Sequence, residues 1–282
     1  MTFHDLINEA KERLYQAGQG EQAAQVLMVE LCRQKDINLY MEMDQDCPEE
    51  LKVDYLEAVH QMELGEPLGY VLGYEWFYGY DFKVNKDVLI PRPETEELVG
   101  LVLSLYDEHF SEKENVQVFD VATGSGAIGI TLNLEEPKLN VICTDISKEA
   151  LVVASENNER LKASVNFLCG NMLDPLIDRQ LKCDILVCNP PYIPSEETME
   201  HSVVDYEPHV ALFGGEDGLK FYRDVFDKAH LVLNQGAFLA FEMGYNQGEA
   251  LSSLAKEYFP DATITVHKDM SDKNRMLTIE TK

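Results

Sequence analysis

The chain has 282 residues, enough for one large domain or two of unequal size, and its 45% hydrophobic and 26% charged content excludes a disordered or collagen-like chain. Its 23 Lys and Arg stand against 51 Asp and Glu, a formal net charge of −28. Non-specific nucleic-acid affinity comes largely from Lys and Arg displacing counterions, so broad DNA binding and docking on anionic lipid are disfavoured.

Residues 1 to about 65 carry helical spacing. Leu6, Ala10, Arg13, Leu14 and Ala17 mark one face, and Gly18 and Gly20 punctuate its end. Ala23, Val26, Leu27, Glu30 and Leu31 continue the pattern in a second helix. Leu51, Tyr55, Val59 and Met62 mark another, with Pro48, Glu49 and Glu50 suited to its first turn. The spacing predicts a small helical domain over 1–68.

Over 69–85 the period shortens to two. Trp76, Tyr78, Tyr80, Phe82 and Val84 alternate with Glu75, Phe77, Gly79, Asp81 and Lys83, as in a half-buried strand. Gly73 and Gly79 allow turns, which predicts a β-hairpin linker. With almost no basic residues nearby, its aromatics read as core packing rather than a base-stacking platform.

From residue 86 to 282, strands and helices alternate, as in a parallel α/β sheet. The expected strands are Val116–Val121, Asn140–Asp145, Val165–Leu168, Asp184–Cys188 and Ala237–Glu242. Helices are expected near Ala127–Leu134, Lys148–Leu161 and Leu219–Leu233, and Thr263–His267 with Met276–Glu280 alternate like a closing antiparallel pair.

The six cysteines, Cys32, Cys47, Cys143, Cys169, Cys183 and Cys188, show no C-x-x-C spacing and no His at ligand spacing, so no metal site is expected. Most lie in apolar runs, where Cys acts as a small buried hydrophobe. The opening residues have neither the basic nor the apolar region of a signal peptide, and no apolar run approaches the ~20 residues that cross a bilayer. The expectation is a reduced, cytoplasmic protein with no membrane partner.

Two segments carry the chemistry. Val118–Gly129 reads as a strand entering a Gly-rich turn and then a helix, with Asp145 ending the next strand about 20 residues on, where a carboxylate can take hydrogen bonds from a ribose diol. Gly124, Gly126 and Gly129 also satisfy G-x-G-x-x-G, which leaves an NAD-dependent oxidoreductase as a rival. The fourth strand then runs into Asn189-Pro190-Pro191-Tyr192, and ligands in such sheets bind beyond the carboxyl ends of the strands. Two prolines remove two N–H donors and leave carbonyls as acceptors, the Asn189 oxygen adds another, and the Tyr192 ring offers a flat wall. Such a cluster suits a planar NH₂ with two protons to donate. An amide nitrogen is a poor nucleophile, so alignment beside an electrophilic methyl must supply much of the rate. The pair of segments reads as an amino or amido methyltransferase using S-adenosylmethionine.

Here the chain resembles a known family, the HemK-like protein-(glutamine-N5) methyltransferases of bacterial peptide-chain release factors. The resemblance runs almost end to end: Glu66–Gly73, Val88–Glu96 (VLIPRPETE), the glycine loop, Asp145, Asn189–Tyr192, and Glu207-Pro208 with Ala211–Gly218. It implies a class I S-adenosylmethionine-dependent methyltransferase domain with a seven-stranded, mostly parallel sheet, after a helical domain that recognises the release factor. The acceptor it implies is the glutamine of the Gly-Gly-Gln loop of class I release factors, with S-adenosylhomocysteine as product. By position, Ala122, Thr123, Gly124, Ser125 and Gly126 would pass beneath the cofactor's methionine and ribose. Asp145 would hold the ribose, Asn171 and Met172 would flank adenine, and Asn189, Pro190, Pro191 and Tyr192 would hold the acceptor amide. Arg92 and Glu94 should lie at the cleft rim, although the same stretch is a good helix start. Glutamine methylation of a ribosomal protein and amino methylation of a nucleic-acid base remain alternatives; the net charge favours a protein amide and no direct nucleic-acid partner.

The chain departs from the family at Ala122, where Gly is usual and a negative φ is therefore expected, and at Asn171, where Asp is common. Lys273-Asn274-Arg275 stands where the family often has an acidic residue before Arg, and no catalytic role attaches to it. His201 and His209 read as loop or packing residues. Gly214-Gly215 and Asp217-Gly218 read first as a turn before the Leu219 helix and second as part of the acceptor pocket.

Overall fold

The first helix, α1 (Phe3–Gln16), starts where Thr2 and Asp5 cap it reciprocally, the Thr2 hydroxyl accepting from the Asp5 N–H and the Asp5 carboxylate from the Thr2 N–H. The computed structural model describes residues 1–197 and 201–282, the side chains of His201 and Ser202 excepted, so the role expected for His201 lies outside the described residues. Four more helices follow: α2 (Ala23–Gln34), α3 (Leu39–Glu42), α4 (Glu49–Glu63) and α5 (Leu68–Leu72). Leu6, Leu14, Leu27, Leu51, Tyr55 and Val59 close a small apolar core, and the Tyr55 hydroxyl finds the Ala24 carbonyl at 3.0 Å. Arg13 and Glu63 add a bidentate pair at 2.7 and 2.8 Å.

Two differences from the sequence reading follow. Residues 69–72, expected within the hairpin linker, belong instead to helix α5, which ends when Gly73 turns left-handed at φ 79°. The hairpin itself is short: β1 (Tyr74–Phe77) and β2 (Tyr80–Lys83) flank a two-residue turn with Tyr78 at φ 52° and Gly79 at φ 82°. Two left-handed residues make the turn that matches strand twist, and it resets the alternation. Phe77 and Phe82 therefore face the core together, edge to face at 5.8 Å, while Trp76 is exposed.

The chain continues through α6 (Pro93–His109), β3 (Val116–Val121), α7 (Ala127–Glu135), β4 (Leu139–Asp145), α8 (Lys148–Leu161), β5 (Asn166–Cys169), α9 (Asp174–Ile177), β6 (Cys183–Cys188) and α10 (His201–Val204). A 3₁₀ turn at His209–Ala211 leads to α11 (Lys220–Ala229), β7 (Leu233–Glu242), α12 (Gly248–Tyr258), β8 (Thr263–Lys268) and β9 (Asn274–Glu280). The seven-stranded sheet has the order β5-β4-β3-β6-β7-β9-β8, parallel except where β9 runs antiparallel between β7 and β8. This is the α/β architecture the alternating pattern implies. The α11 helix ends four residues short of the expected Leu233, because Leu233 already pairs with Cys183. The β6–β7 register then shifts before Ile185 meets Phe238, and Gly236 in that stretch of β7 takes φ 71°.

The sheet is buried on both faces, as parallel sheets require. Val116 and Val118 of β3 join a layer with Leu98 and Val102 of α6, while Phe119 and Val121 join another with Tyr222, Phe226 and Leu251. The chain divides into two units: Met1–Tyr74 with the described residues of Met199–Tyr206, and the described residues of Glu75–Thr198 with Glu207–Lys282.

Candidate active site

Strand order reverses beside β3: β4 and β5 lie to one side and β6 and β7 to the other. Connections leaving adjacent strands in opposite directions open a crevice at their carboxyl ends. A cavity of about 300 Å³ occupies that place, walled by residues following β3, β4, β5 and β6 and by the Asp87–Thr95 segment.

The loop after β3 turns sharply because three residues in five are left-handed: Ala122 at φ 61°, Gly124 at 56° and Gly126 at 83°. The positive φ at Ala122 corrects the sequence reading. The turn requires that conformation whichever residue stands there, so the alanine adopts it against its own preference. A Cβ on Gly124 would meet nothing within 4 Å, whereas one on Gly129 would strike Cys143 Sγ at 2.4 Å and Asp120 Oδ2 at 2.9 Å. Gly129 thus serves close helix–strand packing, not a ligand. Asp120 Oδ2 holds the loop by accepting from the Thr123 hydroxyl and the Gly129 N–H.

Asp145 ends β4 with Oδ2 accepting from the Gly124 N–H at 2.8 Å and Oδ1 from the Ser147 N–H at 2.9 Å. Burial raises its pKa, while those N–H donors act the other way. Past β5, Asn171 and Met172 line the cavity, and the Met172 carbonyl accepts from the Thr144 hydroxyl at 3.1 Å.

Asn189 and Glu242 leave adjacent strands side by side, since Cys188 of β6 lies opposite Phe241 of β7. The Asn189 Nδ2 group donates to the Thr95 hydroxyl at 3.3 Å, and that hydroxyl donates to Glu242 Oε2 at 2.6 Å. Tyr192 turns its hydroxyl to Glu242 Oε1 at 3.2 Å, and burial beside that carboxylate pushes the phenol pKa up. Gln247 ties the Tyr192 carbonyl at 2.9 Å. The glycines after Leu212 press on the same segment: Gly214 donates to the Ile193 carbonyl, and its Cβ position lies 2.6 Å from the Pro191 carbonyl. That close fit explains the glycine at 214 and gives the segment a supporting role.

Arg92 pairs with Glu207, a buried carboxylate that also accepts from the Ile90 N–H at 3.2 Å. Of the residues singled out in the sequence, Arg92, Ala122, Thr123, Gly124, Ser125, Asp145, Asn171, Met172, Asn189 and Pro191 line the cavity; Glu94, Gly126, Pro190 and Tyr192 do not. His209 packs edge-on against Phe213 at 5.7 Å. Sequence reasoning gave no role to Thr95, Glu242 or Lys220. Glu242 carried one signal, its place at the carboxyl end of a central strand; Thr95 carried only its place in the IPRPETE run. Among the described residues, no group of three or more His, Cys, Asp or Glu is placed to hold a metal. No described helix is long and apolar enough to cross a membrane.

A sheet of this order with a glycine loop and an Asn-Pro-Pro-Tyr turn at its switch point defines a methyltransferase domain. Residues 103–205 match the family described as methyltransferase small domain, and residues 5–73 match the PrmC N-terminal domain. The human methyltransferase 10 domain containing protein has the same fold, with a TM-score of 0.54 over 73% of this chain and 90% of that one at 17% identity. The release factor glutamine methyltransferase of Bacillus cereus is 41% identical over 282 residues, 99% of each chain. That of Bacillus subtilis is 41% identical over 278 residues, 98% of this chain and 96% of its own. The chain belongs to the release factor glutamine methyltransferase family.

Proposed function

We propose that this protein transfers a methyl group from S-adenosylmethionine to the side-chain amide nitrogen of the glutamine in the Gly-Gly-Gln loop of a bacterial class I release factor, in the cytoplasm. The observation that carries the reading is the convergence of Gly124, Asp145 and Asn189 on one cavity at the switch point of the sheet.

The donor set fits a nucleoside cofactor. The left-handed loop lays backbone along the cavity without side-chain bulk at Gly124, and Asp145 offers carboxylate lone pairs for a ribose diol. Asn171, Met172 and Ile146 suit the flat, mixed-polarity base. When bound, S-adenosylmethionine supplies an electrophilic methyl on sulfur and leaves as S-adenosylhomocysteine.

The chain's own contribution is orientation. The Asn189 oxygen and the Pro190 carbonyl would accept both protons of the acceptor NH₂, holding its plane and favouring the pyramidal nitrogen that forms as the lone pair is used. The same oxygens stabilise positive charge growing on that nitrogen, and the proton then leaves to water. The excess of acid over base disfavours a phosphate-rich acceptor, which supports a protein amide over a nucleic-acid base.

Purified protein with methyl-labelled cofactor and release factor should label one glutamine. Label no higher than in a Gln→Ala substrate control would end the reading. Asn189→Ala should lower the rate about 10²-fold or more, the scale for removing one aligned polar group, and an unchanged rate would place the alignment elsewhere.

A further inference from the structure

We infer that Thr95 and Glu242 are positioning residues that decide which way round the Asn189 amide stands, turning its oxygen to the acceptor; this rests on the acceptor role proposed for Asn189 above. An Asn side chain is nearly symmetric in shape, and its two ends differ only in that one accepts and the other donates. With the Asn189 oxygen facing the substrate NH₂, one of its donors meets an acceptor while the Pro190 carbonyl takes the other. With the amide reversed, NH₂ faces NH₂, the hydrogen bond to Asn189 is lost and only the one to Pro190 remains. Something must break the symmetry.

The Thr95 hydroxyl has a single proton to give. Glu242 Oε2 lies 2.6 Å away and an ionised carboxylate only accepts, so the proton goes to Glu242. Thr95 is left facing Asn189 with a lone pair, and of the two ends of the amide only Nδ2, at 3.3 Å, can use it. Thr95 is 4% exposed and Glu242 2%, so water is in no position to replace either. The arrangement follows from the sheet: parallel β6 and β7 release Asn189 and Glu242 side by side, and the first turn of α6 brings Thr95 against both. The second oxygen of Glu242 accepts from the Tyr192 hydroxyl, so one carboxylate braces both ends of the Asn189–Tyr192 segment. Burial raises the Glu242 pKa, while the Thr95 hydroxyl, Arg275 and the Tyr192 hydroxyl pull the other way, toward the ionised form that this requires.

The test uses full-length protein with ¹⁵N-labelled asparagine and reads the Asn189 side-chain NH₂ pair, identified by its loss in Asn189→Ala. In the wild type this pair should exchange slowly with solvent. Thr95→Val should speed its exchange about tenfold or more, since the hydrogen bond that protects it is gone, and Thr95→Ser should preserve the protection. The second readout is a double-mutant cycle on methyl transfer to release factor. Thr95→Val should lower kcat about tenfold or more with the cofactor KM within about twofold, and Thr95→Ser should restore most of the rate. In an Asn189→Ala background Thr95→Val should have no further effect, because residues acting through one group are not additive. Unchanged NH₂ exchange in Thr95→Val, additive losses, or a Thr95→Ser enzyme as slow as Thr95→Val would each overturn the inference. A wild type that fails to label the release factor would refute the acceptor reading, while the exchange measurement still decides whether Thr95 holds the amide.

Discussion

At φ 61°, Ala122 holds a backbone conformation that brings its methyl toward the following carbonyl oxygen, a strain of about 1–2 kcal/mol for residues with a Cβ. Glycine would remove the strain but gains about 0.5–1 kcal/mol of freedom in the unfolded chain. Ala122→Gly should therefore stabilise the fold by about 0.5–1 kcal/mol, raising the melting temperature by about 2 °C. A lower melting temperature would mean that the alanine is held by contacts that outweigh its strain. Asp120, three residues before Thr123, shows how the loop is anchored. Burial pushes its pKa up to about 6 from 3.8, against the pull of the Thr123 hydroxyl, the Gly129 N–H and the Cys143 thiol. The folded chain thus binds a proton there more tightly than the unfolded chain, so the group's contribution is fully present below 3.8 and is lost as pH rises through about 6. The loss is at most about 3 kcal/mol, from about two pK units. Asp120→Asn cannot titrate. Unfolding free energies measured at pH 4 and pH 7 should show the wild type losing ground to this variant as pH rises, and an equal gap at both values would refute the assignment.

At the scale of elements, the site is built by loops that are packed from behind. Gly218 is left-handed at φ 72°, and a Cβ there would lie 2.2 Å from the Tyr192 carbonyl and 2.5 Å from Gln247 Nε2. Gly218→Ala should cost about 2–3 kcal/mol through overpacking and strain, and should also slow methyl transfer by displacing the Tyr192–Gln247 tie. Gly236→Ala is the control, because Gly236 is equally left-handed at φ 71° but its Cβ would meet nothing within 4 Å. It should destabilise less and leave the rate alone. Equal rate losses in the two variants would show that backbone strain, not the Tyr192 contact, matters. The same distinction separates what the sequence disclosed from what it hid. Strands β3, β4 and β6 were legible because both faces of a parallel sheet demand apolar residues, and the glycine loop because a left-handed turn selects glycine. The positive φ of Ala122 was hidden because the residue there does not reflect the conformation. The hairpin register was hidden because Tyr78 joined Gly79 in the turn. The brace on Asn189 was hidden for another reason: Thr95 is 94 residues from Asn189 and 147 from Glu242, so only the folded sheet brings them together.

At the scale of the whole molecule, a net charge of −28 makes the folded chain repel itself, since folding brings acids closer than they lie in the unfolded state. Ion pairs answer part of this: Lys35 holds both Glu50 and Asp54, at 3.2 and 3.1 Å, and Lys228 holds Asp174 at 2.7 Å. With 23 bases for 51 acids, negative charge still exceeds positive by 28. Added salt weakens the exposed pairs and the repulsion together. Each exposed pair contributes no more than about 1 kcal/mol, whereas the repulsion sums over every unmatched acid, so the repulsive side dominates. Raising NaCl from about 10 mM to about 150 mM shortens the screening length from about 30 Å to about 8 Å, which silences distant repulsions first and leaves close pairs least affected. The melting temperature should therefore rise by several degrees across that range, on a scale of about 2–4 °C for each kcal/mol. KCl should give the same curve as NaCl, because screening depends on ionic strength and not on which cation supplies it. A flat or falling melting temperature would show that the acids are spaced widely enough for the ion pairs to dominate, and a difference between the two salts would point to a bound cation.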